Sequence, residues 1–365
     1  MTTAATVGTA CGQGLPGSSS LRTLPAGGEW DGFLATLVDE RAVPIVTNAL
    51  EKGWLRGTRE QRDALDVAHE ASMRACVGLE QATLDVVKTL DSAGVALRLL
   101  KGPAVAHLDY PDPSWRAFGD VDILVHSDHY DVAVQSLTNA GGYRRSAEVR
   151  PGFDRRFGKG VCMVLPNGVQ VDVHRTLAAG PFGLTIDLDE LFDGTDTVGF
   201  GGESIPVLTR EHRLAHACFH AALGDPTPRV VALRDIAQLV LTTDVDVDAT
   251  RAACARWRAG VVMAHAVGAA WKTLDLASTP LSEWATAYAG DRFERRSLAA
   301  YLGPDRSYAR QMIAGVPAVH GWSAKAAYVR SLLFVDSGYA QRHGGGVGRR
   351  LRRVWHARGV REPVS

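Results

Sequence analysis

One short stretch, Asp120-Val121-Asp122-Ile123-Leu124-Val125, decides how the rest of the sequence is interpreted. Side chains alternate between the two faces of a β-strand, so Asp120 and Asp122 are predicted to share one face, while the apolar residues face the core. Two carboxylates about 5 Å apart repel by roughly 3 kcal/mol at an effective dielectric constant near 20. A shared divalent cation removes that repulsion, and ligands that are all oxygens favour Mg²⁺ or Mn²⁺ over Zn²⁺.

A later stretch, Val169-Gln170-Val171-Asp172-Val173-His174, repeats the alternation. The turn signal Pro166-Asn167-Gly168 separates it from the apolar run Val161 to Leu165, which predicts a β-hairpin. The polar residues of this run would all point to one face. If the strand lies beside the first, Asp172 supplies a third carboxylate, and three acids can hold two ions.

A third motif precedes both strands. The run Leu99-Leu100-Lys101-Gly102-Pro103 reads as the end of a buried strand followed by a turn into a helix. Glycine lets main-chain N–H groups approach a phosphate, and a helix start favours an anion. Lys101 and Arg116 would add positive charge. Each motif alone is common in ordinary loops and strand ends, but their joint occurrence at apolar strand boundaries makes coincidence less plausible.

The chain length of 365 residues favours two domains. Residues 1–28 contain few large apolar groups and are predicted to be a flexible arm. Residues 29–205 are assigned to an α+β domain with a small mixed sheet and N-terminal helices. Residues 206–340 are assigned to a helical domain, and residues 341–365 to a basic tail.

Composition restricts the partners and the compartment. Lys plus Arg equals Asp plus Glu at 40 each, so no overall field attracts polyanions and no nucleic-acid partner is predicted with assurance. The basic tail could bind nucleic acid or acidic lipid, although a solvated terminal helix is the commoner outcome. The five scattered cysteines, the missing secretory signal and the lack of a long apolar run predict a cytoplasmic protein without a membrane span.

Three histidines, His212, His216 and His220, are spaced four residues apart and therefore share one face of a predicted helix. A metal site is one interpretation, but no acid stands at the expected ligand spacing. Core packing or a hydrogen bond to a neighbouring helix is the more common role of such residues.

The order of these motifs resembles the polymerase-β nucleotidyltransferase superfamily, and more closely the bacterial uncharacterised nucleotidyltransferase family. Members of that family show a Leu-Lys-Gly turn, an arginine shortly before the acid-x-acid strand, and an acid-x-His pair on a later strand. The corresponding residues are Leu100, Lys101 and Gly102, then Arg116, then Asp172 and His174. The resemblance extends over about residues 84–335 and includes Leu214, His216, His220, Arg234 and Asp235.

The resemblance implies a polymerase-β-like core and transfer of a nucleoside monophosphate from an NTP to an acceptor hydroxyl or phosphate. It implies catalysis with two Mg²⁺ or Mn²⁺ ions, and an acceptor that could be a small molecule, a protein or an RNA. The implied metal-binding and catalytic residues are Asp120, Asp122 and Asp172. The implied nucleotide-binding residues are Lys101, Gly102, Arg116 and His174, and the acceptor-site candidates are His216, His220 and Asp235.

Two departures from the superfamily pattern leave other functions open. Pro103 stands where a second small residue is usual, and 17 residues separate Gly102 from Asp120. One alternative is a catalytically inactive module that binds a nucleotide or a partner. Another is a toxin-like enzyme that modifies protein or tRNA.

Overall fold

The computed structural model describes residues 3–19, 21–304 and 306–336. The predicted basic tail lies outside these residues. The described chain forms one mixed sheet surrounded by helices, so the predicted α+β class is confirmed. None of the described helices combines the length and the apolar character needed to cross a membrane.

Seven strands form the sheet in the order β3-β4-β5-β2-β1-β7-β6. Strand β2 pairs with β5 in parallel and with β1 in antiparallel orientation, whereas β1 pairs with β7 in parallel. The strands are β1 (Leu97–Leu99), β2 (Val121–Val125), β3 (Tyr143–Arg144), β4 (Gly160–Val164), β5 (Gln170–His174), β6 (Asp196–Phe200) and β7 (Glu203–Val207).

The predicted hairpin is confirmed, because β4 and β5 pair in antiparallel orientation across the turn around Gly168. The apolar side chains of β1, β2 and β5 pack with those of α4 (Arg59–Asp91) in one core. Thr58 and Gln61 form a capping box at the start of α4, in which each side chain accepts a hydrogen bond from the other residue's main-chain N–H.

The remaining helices lie before, between and after the strands. Those before and among the strands are α1 (Thr3–Gly12), α2 (Trp30–Asp39), α3 (Val43–Glu51), α5 (Lys101–Asp109), α6 (Tyr130–Asn139), α7 (Phe153–Phe157), α8 (Gly180–Thr185) and α9 (Glu190–Asp193). Those that follow are α10 (Arg210–Leu223), α11 (Val230–Thr242), α12 (Val247–Arg256), α13 (Gly260–Leu274), α14 (Pro280–Ala287), α15 (Arg292–Ala299), α16 (Tyr308–Gly315) and α17 (Trp322–Leu333).

Two strands were missed in the sequence. The region from Asp187 to Gly202 reads as a Gly- and Asp-rich connection, yet it contains β6, which forms a hairpin with β7. The hairpin turns at Gly201 and Gly202, both with positive φ. Strand β7 adds to the edge of β1, so this hairpin extends the sheet.

The N-terminal residues differ from the flexible arm that the sequence predicts. Helix α1 packs on α13, and Val7, Ala10 and Cys11 are fully buried. A Cβ added to Gly8 would lie 2.2 Å from the carbonyl oxygen of Thr273. The small residues of α1 therefore bring two helix backbones into contact, which replaces the large apolar groups that the segment lacks.

The helical core joins the N-terminal helices to helices that follow the sheet. Apolar side chains of α1, α2 and α3 join those of α10, α11 and α13 in one cluster. The sequence instead predicts that the N-terminal helices belong to the same domain as the sheet. The buried Arg234 strengthens the connection, because its guanidinium donates hydrogen bonds to the carbonyl oxygens of Cys11 and Gln13. The domain boundaries at residues 29, 206 and 341 remain a prediction.

Candidate functional site

The acids of the two polar stretches lie on neighbouring strands. In the parallel pair β2–β5, the Cα atom of Asp122 is the partner of Asp172, and Leu124 is the partner of His174. The alternation of side chains then places Asp122, Asp172 and His174 on the same face. Pairing in register, rather than closeness in sequence, brings residues 50 positions apart into one site.

Asp122 is buried and accepts hydrogen bonds from two polar side chains. Its Oδ1 atom accepts hydrogen bonds from Lys101 Nζ at 2.9 Å and from His174 Nε2 at 2.8 Å. Burial alone would raise the pKa of Asp122, but the Lys101 ammonium and the His174 bond hold this pKa well below its usual value. Asp122 is therefore an ionised carboxylate inside the protein.

His174 is buried in its neutral form. Burial lowers its pKa, and the positive charge of Lys159 lowers it further, despite the bond to Asp122. The imidazole Nδ1 atom is buried and has no hydrogen-bond partner among the described residues. The nitrogen that faces Asp122 is therefore Nε2, which donates the bond, and the lone pair is on Nδ1.

Asp122, Asp172 and His174 fit a divalent cation. Each offers a ligand atom, and these three atoms lie within 4.8 Å of one another. Carboxylate oxygens suit Mg²⁺ and Mn²⁺, and an imidazole nitrogen is a better ligand for Mn²⁺ than for Mg²⁺.

Asp120 lies at the margin of the cluster rather than within it. Its Oδ1 atom is 3.8 Å from Arg41 Nη1, and 37% of its side chain is exposed. Burial raises the pKa of Asp120, and the negative charge of Asp122 raises it further. Arg41 follows α2 and has a positive φ of 56°, so the N-terminal helices place a cation beside the acids.

The turn after β1 brings Lys101 and Gly102 to the same place. The main-chain N–H of Leu100 donates to the carbonyl oxygen of Asp122 at 2.9 Å. Gly102 has φ 40° and ψ −119°, a conformation that side-chain-bearing residues rarely adopt. Pro103 then begins the regular part of α5, where its missing N–H needs no helical partner.

Arg116 and Asp235 lie together, apart from the three acids. The Arg116 guanidinium donates Nη2–H to Asp235 Oδ2 at 2.8 Å, and Tyr110 Oη donates to Asp235 Oδ1 at 2.9 Å. All three side chains are buried. The long connection between Gly102 and Asp120 thus carries Tyr110 and Arg116, which both bind Asp235. These buried contacts attach the connection to α11.

His216 and His220 lie on α10 and line a cavity of about 150 Å³, whereas Asp235 does not line it. Burial lowers the pKa of both histidines well below the usual value, and the Lys101 charge adds to that shift. His212, on the same helix, does not line this cavity, and its ring contacts that of Trp257 in a tilted arrangement.

Lys159 and Arg41 were missed in the sequence. Lys159 lines both the His216 cavity and a smaller one of about 120 Å³ that contains Asp172 and His174. Its only signal in the sequence is a Lys-Gly dipeptide at the start of the hairpin, similar to Lys101-Gly102. Arg41 gives no signal, because its contact with Asp120 depends on the packing of distant segments.

Among solved structures, the chain is similar to an antigenic nucleotidyltransferase-like protein from Paracoccidioides brasiliensis. The two share 16% identity over 56% of this chain and 94% of the other, with a TM-score of 0.32. Likeness at this level assigns no activity. No functionally curated protein matched the chain.

A family model described as "Uncharacterised nucleotidyltransferase" matches residues 26–274, which is more than half of the chain and includes all three acids. The match begins before α2 and ends at α13, so it spans the sheet and part of the helical core. The chain belongs to this nucleotidyltransferase family.

Proposed function

We propose that this protein transfers a nucleoside monophosphate from an NTP to an acceptor hydroxyl or phosphate and releases pyrophosphate. The observation that carries the proposal is the paired register of Asp122 and Asp172, with His174 on the same face. Membership of a nucleotidyltransferase family supports the reaction class.

Asp122 and Asp172, with Asp120 at the margin, would hold two Mg²⁺ or Mn²⁺ ions, which neutralise phosphate charge and favour an ionised acceptor hydroxyl. The chain's own residues would bind the phosphates and orient the acids. The Lys101 ammonium and the main-chain N–H groups near Gly102 would bind the β- and γ-phosphates. His174 would help to orient Asp122 through its 2.8 Å hydrogen bond.

Asp172 is the proposed proton acceptor. When the acceptor is a hydroxyl, its oxygen forms a bond to the α-phosphorus, and the bond from that phosphorus to the α–β bridging oxygen breaks. Pyrophosphate leaves with the bonding electrons, and the hydroxyl proton passes to Asp172 and then to water. Asp172 has no ion-pair partner among the described side chains, so its carboxylate is available for this role.

The first prediction concerns Asp172→Asn, which removes a carboxylate without breaking a buried ion pair. We expect transfer of label from [α-³²P]NTPs to components of a cell extract to fall by about 100-fold or more, because an electrostatic partner of the reacting groups is lost. Asp122→Asn should abolish transfer as well. The exposed Asp91→Asn at the end of α4 serves as the matched control and should keep full activity.

Activity of Asp172→Asn or Asp122→Asn equal to that of Asp91→Asn would refute the catalytic assignment. If wild-type protein binds Mg²⁺-NTP in a calorimeter but releases no pyrophosphate with any NTP and any extract, the inactive binding module is the correct function instead. Circular dichroism of each variant separates lost chemistry from lost folding.

A further inference from the structure

The cavity behind the acids has an unusual lining. It lies among β4, α10 and α16, and its polar walls come from Lys159, His216, His220, Tyr301, Arg306 and Gln311. An engineered cavity of comparable volume holds a molecule of about the size of benzene. A space of about 150 Å³ therefore admits a small group and excludes a whole nucleoside.

Three of these side chains lack partners. Among the described residues, no hydrogen-bond or ion-pair partner exists for the Lys159 ammonium or for the ring nitrogens of His216 and His220. His216 is buried, whereas Lys159 and His220 are half-buried, and all three side chains line the same cavity. Three unpaired polar groups that line one space favour a polar ligand there. Burial lowers the pKa of Lys159, while the charges of Asp122 and Asp172 raise it.

The charge of the lining favours an anion. No carboxylate lines the cavity, and Arg306 is a second cation at its edge. The Arg306 guanidinium is fixed by hydrogen bonds to the carbonyl oxygens of Leu223 and Gly224 at the end of α10. The neutral imidazoles, Gln311 and Tyr301 can exchange hydrogen bonds with hydroxyl groups.

Lys159 connects this cavity to the acids, since it also lines the smaller cavity that contains Asp172 and His174. We propose that the cavity binds the acceptor of the transfer reaction, and that this acceptor is a small hydroxyl compound bearing a phosphate or a carboxylate. Lys159 binds that oxyanion, and the hydroxyl then faces Asp172. This inference rests on the proposed function.

The binding test uses the full chain without metal or nucleotide, titrated with inorganic phosphate and separately with acetate in a calorimeter. Lys159→Met keeps the length of the side chain and removes its charge, and should weaken binding of the preferred anion about 10- to 100-fold. Lys159→Arg should restore most of the affinity. The exposed Lys88→Met on α4 is the matched control and should bind as wild type does.

Comparing the two anions shows which acidic group the acceptor carries. Tighter binding of phosphate indicates a phosphorylated acceptor, and tighter binding of acetate indicates an acceptor with a carboxylate. Equal binding by Lys159→Met and wild type, or no binding of either anion by wild type, overturns the proposal. The proposal is also overturned if Lys101→Met weakens anion binding and Lys159→Met does not, because the anion then binds at the turn after β1.

A second readout separates this inference from the proposed function. The labelled product formed in extract should be a small molecule that carries a phosphate or carboxylate besides the nucleotide. A labelled protein or RNA would support nucleotidyl transfer and overturn the small anionic acceptor. Conversely, Lys159-dependent anion binding in an Asp122→Asn protein, combined with no label transfer by wild type, would retain the binding site and reject the reaction.

Discussion

At the scale of single residues, Asp122 is the most constrained group in the site. Its carboxylate is almost fully buried, and both the Lys101 ammonium and the His174 imidazole bond the same oxygen atom. A charge buried in this way is tolerated only when it is paired. Lys101 therefore stabilises the fold as well as facing the proposed phosphate site.

The second prediction follows from this pairing. Lys101→Met leaves the buried Asp122 carboxylate without its cation and should lower the free energy of unfolding by about 3–5 kcal/mol. The double variant Lys101→Met/Asp122→Asn should recover much of that loss, because no unpaired charge remains. Urea denaturation of both single variants and the double variant measures the coupling. Additive effects would show that the two side chains do not interact as described.

Sequence patterns located the acids and Lys101 but could not locate the other two cations, Arg41 and Lys159. Alternation along β2 and β5 predicted which side chains of each strand share a face, and the observed pairing of the two strands then brings Asp122, Asp172 and His174 together. Arg41 and Lys159 reach the site from a helix connection and a strand start whose positions depend on tertiary packing. The sequence predicts a phosphate contact for Arg116, whereas the structure pairs Arg116 with Asp235, a partner 119 positions away in the sequence.

At the scale of secondary-structure elements, periodicity identified the long helices and the hairpin but failed where composition was misleading. Helix α1 contains mostly Thr, Ala and Gly, and its order comes from close packing against α13. Strands β6 and β7 are short, and Gly199 and Pro206 disrupt their β-pattern, so only the pairing of β7 with β1 identifies their role.

The third prediction tests the contact of α1 with α13. Gly8→Val would place a side chain against the carbonyl oxygen of Thr273 and should lower the free energy of unfolding by about 1–3 kcal/mol. Ala4→Val introduces the same side chain at an exposed position of the same helix, and should change stability little. Urea midpoints of the two variants provide the comparison. Equal midpoints would show that α1 does not pack on α13 in solution.

At the scale of the whole molecule, buried histidines make stability depend on pH. Burial keeps the pKa of His216 and His220 well below the usual value, so both stay neutral when folded. The unfolded chain binds protons at these groups below about pH 6.5. The unfolded state then holds more protons than the folded state, so the free energy of unfolding falls as the pH falls below that point.

The fourth prediction gives this effect a size. Each such histidine contributes a slope of up to about 1.4 kcal/mol per pH unit below pH 6.5. His216→Asn should therefore show a shallower decline than wild type between pH 6.5 and 5, measured by urea denaturation at each pH. The exposed His129→Asn is the control and should decline as wild type does. A His216→Asn slope no smaller than that of wild type would contradict the buried neutral state.

The position of β1 in the sheet has a consequence for biosynthesis. One neighbour of β1 is β2, which is translated shortly after it, but the other is β7, whose Val207 pairs with Leu99. While the ribosome makes the intervening hundred or so residues, one side of β1 exposes unpaired main-chain groups. Such an open edge invites pairing with another chain. The nascent protein should thus be most prone to misassembly, and most dependent on chaperones, until the final hairpin of the sheet emerges.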